Sequence, residues 1–323
     1  MTAPAVAVAR PAAPGSGVLR VVVTKVLTAI IVLFFVATAA FFLVRLSGDP
    51  VKLILPPDAT AAQEATLRAT LGLDRPLLTQ YLDYLGGLPR LQLGTSLVYD
   101  QPVADVLFSR IPATLELAGA ALLLALVIAV PAGTFAALRR GRAGDTGVMT
   151  GVLVGQSTPA FWVGILLILI FAVQLQLLPA SGYGGFAHLV LPAITLAVYS
   201  VAVIARLLRS SLVDVLGSDY IRTARAKGLS TGGIVLGHGL RNAALPVVTV
   251  VGLEIGSLLG GAILTEQVFS WPGLGRLTVE AIQNRDFPLV QAAVLFFAAT
   301  FVVVNLLVDL SYTILDPRVR VTA

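Results

Sequence analysis

Tyr220–Pro246 reads YIRTARAKGLSTGGIVLGHGLRNAALP, a basic, glycine-broken island set between two long apolar runs. Ser218 and Asp219 favour a helix start, Asp at the positive end of the helix dipole, and Gly228 is a natural stop. A short helix over Asp219–Lys227 is therefore predicted. Ile221, Ala224 and Gly228 fall on one face at i, i+3 and i+7, whereas Arg222 and Arg225 pair on another. A face of small apolar residues beside a basic one suits insertion into a groove of a partner protein. It suits equally well a solvated surface helix, or one resting on anionic lipid.

The runs on either side decide the class. Of 323 residues, 57% are apolar and 12% charged, about half the charged share of an ordinary soluble domain. The fold class is all-α integral membrane. The net charge of +5 resides in loops between apolar spans, so membrane topology accounts for it and nucleic acid is not implied. The chain has no cysteine, which removes disulfides, thiol nucleophiles and Cys-ligated zinc.

Crossing the bilayer takes about 20 apolar residues, and six transmembrane helices are predicted. An Ala/Pro/Gly-rich stretch over residues 1–17 has the composition of a disordered tail. The first helix follows over 18–46; its apolar run is too long for a signal peptide, so it is read as a retained anchor. Residues 47–111 are too polar to enter the membrane and are expected to form an extracytoplasmic subdomain between spans one and two. That segment either caps a pore or receives a partner, or it merely packs on the helix ends. Within it, Thr60 and Gln63 form a capping-box pair, and Arg75-Pro76-Leu77 opens a second helix through Tyr84. Residues 112–315 hold five more spans, near Pro112–Leu138, Gly147–Leu177, Leu189–Val213, Pro246–Leu264 and Leu289–Leu310. Residues 316–323 form a second tail.

Loop charge sets the orientation. The N-terminal segment, Arg139–Arg142, Arg206–Arg241 and Arg318/Arg320 together carry about fourteen basic residues against about four acids, the bias of a cytoplasmic side. Both termini and the Tyr220 segment are thus expected in the cytoplasm, with the predicted short helix lying between spans four and five.

Within the spans, Pro112, Pro131, Pro159, Pro192 and Pro246 read as kinks or boundaries. Gly252, Gly256, Gly260 and Gly261 read as positions of close helix packing. Glu254 stands apart, because an acid near mid-span costs about 3 kcal/mol even on a lenient insertion scale. It must either hydrogen-bond between helices or line a water-filled pathway. Asp309 lies near the predicted cytoplasmic boundary, Glu116 and His188 near the opposite one.

Little chemistry is available to the chain alone. None of Lys25, Lys52 and Lys227 lies in a Walker A loop. His188 and His238 fall on opposite predicted sides, which argues against a histidine metal or nucleophile site, and Ser157 and Ser257 lack a nearby activating His or Asp. Mid-span ionisable groups other than Glu254 are nearly absent, which disfavours ion-coupled transport. An external energy source is implied.

Arg222-Thr223-Ala224-x-x-x-Gly228 followed by Leu245-Pro246 resembles the EAA loop of type-I ABC importer permeases. Arg222 and Thr223 stand where Glu and Ala are usual, and the Gly-to-Pro interval is longer. Both departures resemble the dipeptide/oligopeptide/nickel branch, as does His238-Gly239-Leu240-Arg241-Asn242-Ala243-Ala244-Leu245-Pro246. Leu71–Pro76, Leu93–Ser96, Arg110–Leu117, Glu266–Phe269 with Pro272–Gly275, Arg285–Pro288 and Asp316–Arg320 are similar to segments of that branch's B-type permease, in order along the chain.

The resemblance implies a bacterial cytoplasmic-membrane permease subunit importing di- or oligopeptides by alternating access, with nickel chelates, opines or glutathione-like solutes as alternatives. It implies that Asp219, Tyr220, Ile221, Arg222, Thr223, Ala224, Arg225, Ala226, Lys227 and Gly228 form an ATPase-coupling helix. Arg241, Asn242, Leu245 and Pro246 would close the loop. A second permease subunit, ABC ATPases, an extracytoplasmic substrate-binding protein and membrane lipid are the implied partners. ATP and Mg²⁺ would reside on the ATPases, with no cofactor, metal or catalytic residue on this chain. A secondary transporter or a membrane-embedded enzyme would be the rival classes.

Overall fold

The computed structural model describes residues 16–46, 51, 55, 58–70 and 72–315. The expected tail at 316–323 and nearly all of that at 1–17 lie outside the described residues, as does the side chain of Asp309. Among the described residues the regular structure is helical, with one isolated bridge between Thr95 and Pro102.

The helices are α1 (Ser16–Leu46), α2 (Ala61–Thr70), α3 (Leu77–Gly87), α4 (Val103–Leu138), α5 (Ala143–Ser157), α6 (Ala160–Leu167), α7 (Phe186–Leu216), α8 (Asp219–Ala226), α9 (Thr231–Ile234), α10 (Leu240–Val268), α11 (Leu274–Gln283) and α12 (Phe287–Leu315). π-wound turns extend α6 over Ile168–Gln174 and join α9 to α10 over Val235–Gly239. Among the described residues five segments are long and apolar enough to cross a membrane: Val23–Leu46, Val103–Leu138, Phe186–Leu216, Thr231–Gly260 and Phe287–Val308. The α5–α6 pair makes a sixth crossing if it is counted as one span.

That pair departs from the continuous run expected over Gly147–Leu177. It bends by 101°, and the cause is local. A residue before proline is pushed out of the α region; Thr158, before Pro159, sits at φ −89°, ψ 129°. Pro159 has no N–H to continue the ladder and instead starts α6. Other prolines are absorbed without a break: Pro112 and Pro131 lie inside α4, Pro192 inside α7 and Pro246 inside α10. Two boundaries move accordingly, α4 beginning at Val103 rather than near Pro112, and α10 at Leu240 rather than at Pro246.

The bundle core is an alanine seam between α4 and α7. Ala121, Ala125, Ala129, Gly133 and Ala137 recur every fourth residue on α4 and meet Ala197, Ala205, Leu208 and Leu212. Small residues let two backbones approach closely where lipid supplies no hydrophobic drive between helices. A Cβ at Gly133 would stand 2.7 Å from the carbonyl oxygen of Ala205. Gly252 and Gly256 play the same part against Val308 and Phe301 of α12, whereas Gly260 has nothing within 4 Å.

At the α3 end of the bundle a second layer is tied on by polar and aromatic contacts. Thr60 and Gln63 form the expected capping box, Thr60 N–H donating to Gln63 Oε1 at 2.8 Å and Gln63 N–H to Thr60 Oγ1 at 3.3 Å. Helix α3 packs on α1 through Phe41 against Tyr81 and Tyr84, while Arg45 donates to Gln80 at 2.7 Å. Burial against these rings pushes the Tyr84 phenol up to about 12. Buried Asp286 joins the Thr95–Val98 turn to the start of α12: it accepts from Ser96 Oγ at 2.5 Å and from the Leu289 N–H at 3.3 Å.

Glu266, fully buried near the end of α10, organises the next connection. It accepts from Thr114 Oγ1 at 2.7 Å and from the Arg276 N–H at 3.0 Å, holding the first turn of α11. Pro272-Gly273-Leu274-Gly275 passes so close that a Cβ at Gly273 would overlap the Glu266 carboxylate. Trp271, beside it, donates its indole N–H to Ala113 O at 2.8 Å.

Candidate functional site

Helix α8 spans Asp219–Ala226, one residue short of the predicted Asp219–Lys227. Gly228 ends it with φ +81°, in the left-handed region that glycine adopts without penalty. Ser218 stands at the N-cap, but its hydroxyl turns back to donate to Val215 O at 2.6 Å.

The orientation of α8 corrects the expectation drawn from its pattern. Ile221 and Ala224, whose face suited a partner's groove and a surface or lipid setting equally, are buried on this chain against Ile234 of α9 and Leu216 of α7, whereas Gly228 of the same face is exposed. The outward face is formed instead by Tyr220, Arg222, Thr223, Arg225, Ala226 and Lys227, all exposed. An amphipathic pattern states which face is buried but not against which chain. Here the apolar side is satisfied in cis, leaving a basic surface.

The loop's far end is fastened to this helix. Asn242 Nδ2 donates to Tyr220 Oη at 3.2 Å and to His238 O at 2.9 Å. Ser230 caps α9 by accepting the Gly233 N–H at 3.2 Å. Arg241, Leu245 and Pro246 are exposed, while Ala243 and Val247 between them enter the core. The stretch from Tyr220 to Pro246 is thus one folded unit, with Asp219 and Arg222 paired on its surface at 3.3 Å.

Behind it, the charged pair Asp145–Arg209 fixes the root of α7. Arg209 Nε and Nη2 each lie 2.6 Å from a carboxylate oxygen of Asp145, which also accepts the Gly141 N–H at 2.9 Å. No local sequence pattern marks this pair. The only signal was an acid within a cluster of arginines, and a separation of 64 positions hides the pairing.

Glu254 lies twelve residues beyond Asn242, about 18 Å along a helix, and is not part of that unit. Its side chain is buried, and Ser200 Oγ of α7 donates to its Oε2 at 2.5 Å. Together they line a cavity of about 370 Å³ with Thr158, Pro159, Tyr199 and Ser257. Of the two roles weighed for Glu254 from sequence, the hydrogen bond between helices is present. Thr158, Pro159 and Ala160, at the break between α5 and α6, form part of the cavity wall.

At the α3 end, Tyr183 donates to Glu116 at 2.8 Å, and this bond raises the phenol above its ordinary pKa. Tyr183 also packs edge-on against Trp271. His188 Nδ1 nearby is buried without a hydrogen-bond partner among the described residues. Among the described residues no group of three His, Asp or Glu side chains could hold a metal ion.

Comparison with known proteins agrees with this architecture. Residues 129–321 match the family described as "Binding-protein-dependent transport system inner membrane component", and residues 18–118 match its N-terminal counterpart. The chain is 45% identical over 303 residues to the glutathione transport system permease protein GsiC of Escherichia coli K12, covering 94% of this chain and 99% of that one. The Shigella flexneri serotype 5b protein of the same name is 44% identical over the same coverage. Among solved structures, an inward-facing form of the MetNI methionine ABC transporter aligns with a TM-score of 0.53 at 19% identity, over 67% of this chain and 98% of that one. An amino acid ABC transporter aligns at 0.51 and 16%, over 65% and 94%. Multi-pass, helical and similar to one permease over nearly its whole length, the chain belongs to the inner-membrane permeases of binding-protein-dependent ABC importers, in the dipeptide/oligopeptide/nickel branch.

Proposed function

We propose that this permease carries short peptides of the glutathione kind, small solutes with a free α-ammonium and at least one carboxylate, into the cell. The observation that carries the reading is the 45% identity to a glutathione permease across 94% of the chain. Both termini and the Tyr220–Pro246 unit face the cytoplasm, in keeping with the excess of Arg and Lys there. Six spans make up its share of the membrane domain, the bent α5–α6 pair counting as one, and residues 47–111 face outward.

A second permease of similar fold completes the pathway, and a binding protein delivers substrate from outside. ABC ATPases dock on the exposed basic face of α8; they, not this chain, bind ATP and Mg²⁺. Because Ile221 and Ala224 clamp α8 onto α7 and α9, displacement of α8 is passed to the long α7 rather than dissipated in a loop. ATP-driven closure of the partners then biases the bundle between outward- and inward-open arrangements.

The test is uptake by proteoliposomes containing the full assembly and its binding protein. ATP-dependent accumulation of glutathione or a di- or tripeptide is expected. Accumulation of a nickel chelate or an opine alone would overturn the peptide assignment, and uptake driven by an ion gradient without ATP would overturn the coupling scheme.

A further inference from the structure

We infer that the cavity bounded by Thr158, Tyr199, Ser200, Glu254 and Ser257 is a binding site for the ammonium group of the transported solute, with Glu254 as its counter-ion. The inference rests on the peptide-import reading above.

Placement is the first argument. Ser200 is at the middle of α7, Glu254 at the middle of α10, and Thr158 in the break between α5 and α6. Three elements therefore converge at mid-bundle where one of them is discontinuous. In a membrane, irregular backbone is tolerated where it lines a cavity or is buried in protein, and broken helices mark solute sites in other transporters.

Unused capacity is the second. A carboxylate has about four lone-pair sites, yet among the described residues Glu254 accepts one hydrogen bond, from Ser200. Among the described residues no Arg, Lys or His is within ion-pair distance of it. Other buried acids are better served: Asp145 has Arg209 and Gly141, and Glu266 has Thr114 and Arg276.

Size and lining are the third. A volume of about 370 Å³ falls at the small end of pockets that hold compact ligands, about 300–1,000 Å³. The walls are largely apolar, with the hydroxyl-bearing residues Thr158, Tyr199, Ser200 and Ser257 and one acid, Glu254, among the lining. A few polar groups in an apolar cavity fix the orientation of a ligand, and an acid without a basic neighbour selects a cation.

The competing account makes Ser200–Glu254 a tie between α7 and α10 with no solute contact. The two are separated by uptake in proteoliposomes of the full assembly, using a peptide and its N-acetyl derivative chosen so that the wild type carries both. Glu254→Gln is expected to lower the ratio of free-amine to N-acetyl uptake about tenfold, the scale of one charge-assisted hydrogen bond. Glu254→Asp, which keeps the charge, is expected to retain the ratio within about threefold. An unchanged ratio in the Gln variant, with both rates lowered together, assigns Glu254 to the helix tie and overturns the inference while leaving peptide import standing. Absence of ATP-driven uptake of any peptide by the wild type overturns both.

Discussion

Arg209 grips Asp145 at two points, 2.6 Å from each carboxylate oxygen, and so joins the first turn of α5 to α7. Asp145 is nearly sealed from solvent at 6% side-chain exposure and Arg209 is at 28%. Removing one partner leaves the other charge without its counter-ion, so Asp145→Asn and Arg209→Gln are each expected to lower stability. Thermal unfolding of the solubilised protein measures it. The double variant should cost less than the sum of the singles, and strict additivity would show that the pair is not coupled.

The seat of α8 and its outer face should fail in different ways. Ile221→Ala removes a fully buried side chain and should cost about 2–4 kcal/mol of local packing, loosening the helix and lowering both ATPase association and uptake. Arg222→Glu alters only exposed charge; helix protection in hydrogen exchange should persist while ATPase association falls. Gly228→Ala meets no atom within 4 Å but adopts φ +81°, a backbone cost of about 1–2 kcal/mol. If Arg222→Glu leaves association intact, the docking face lies elsewhere.

How much of this was visible in the chain beforehand differs from element to element. Helix α8 and its stop were legible because Asp219 in the first turn and Gly228 at the end act locally. The capping pair Thr60–Gln63 was legible for the same reason. The direction of the Ile221/Ala224 face was not, since the residues that cover it, Leu216 and Ile234, come from the flanking helices and complete a small core that no partner is needed to close. Pro159 reads from sequence as a kink or a boundary, but the size of the bend, 101°, was not legible because the apolar run continues through it. Ser200–Glu254, Ser96–Asp286 and Thr114–Glu266 pair residues 54, 190 and 152 positions apart, separations at which no local pattern carries a signal.

Topology is testable at two exposed sites. Ser96 is buried against Asp286 and is unsuitable for labelling, whereas Gln101 close by is exposed. Gly232 is exposed with nothing within 4 Å of an added Cβ. Gln101→Cys should react with a membrane-impermeant thiol reagent from outside in intact cells, and Gly232→Cys only after permeabilisation. Reversed reactivity would invert the orientation, and equal reactivity of both from outside would place them on one side.

The tightest of the described glycine sites yields the sharpest prediction. A Cβ at Gly273 would lie on top of the Glu266 carboxylate, and one at Gly275 would stand 2.5 Å from Ile263 Cα. Neither glycine has a positive φ, so the requirement at Gly273 is for space alone. Gly273→Ala must displace Glu266 from Thr114 and the Arg276 N–H, stranding a buried acid, and should cost about 3 kcal/mol or more. Shortening the acid restores the space: Glu266→Ala alone forfeits its hydrogen bonds, but Gly273→Ala placed on that background should add less than about 1 kcal/mol. The measurement is a four-variant thermal-unfolding cycle in detergent. A Gly273→Ala penalty that stays the same with and without the Glu266 carboxylate would show that some other contact, not this one, requires glycine at residue 273.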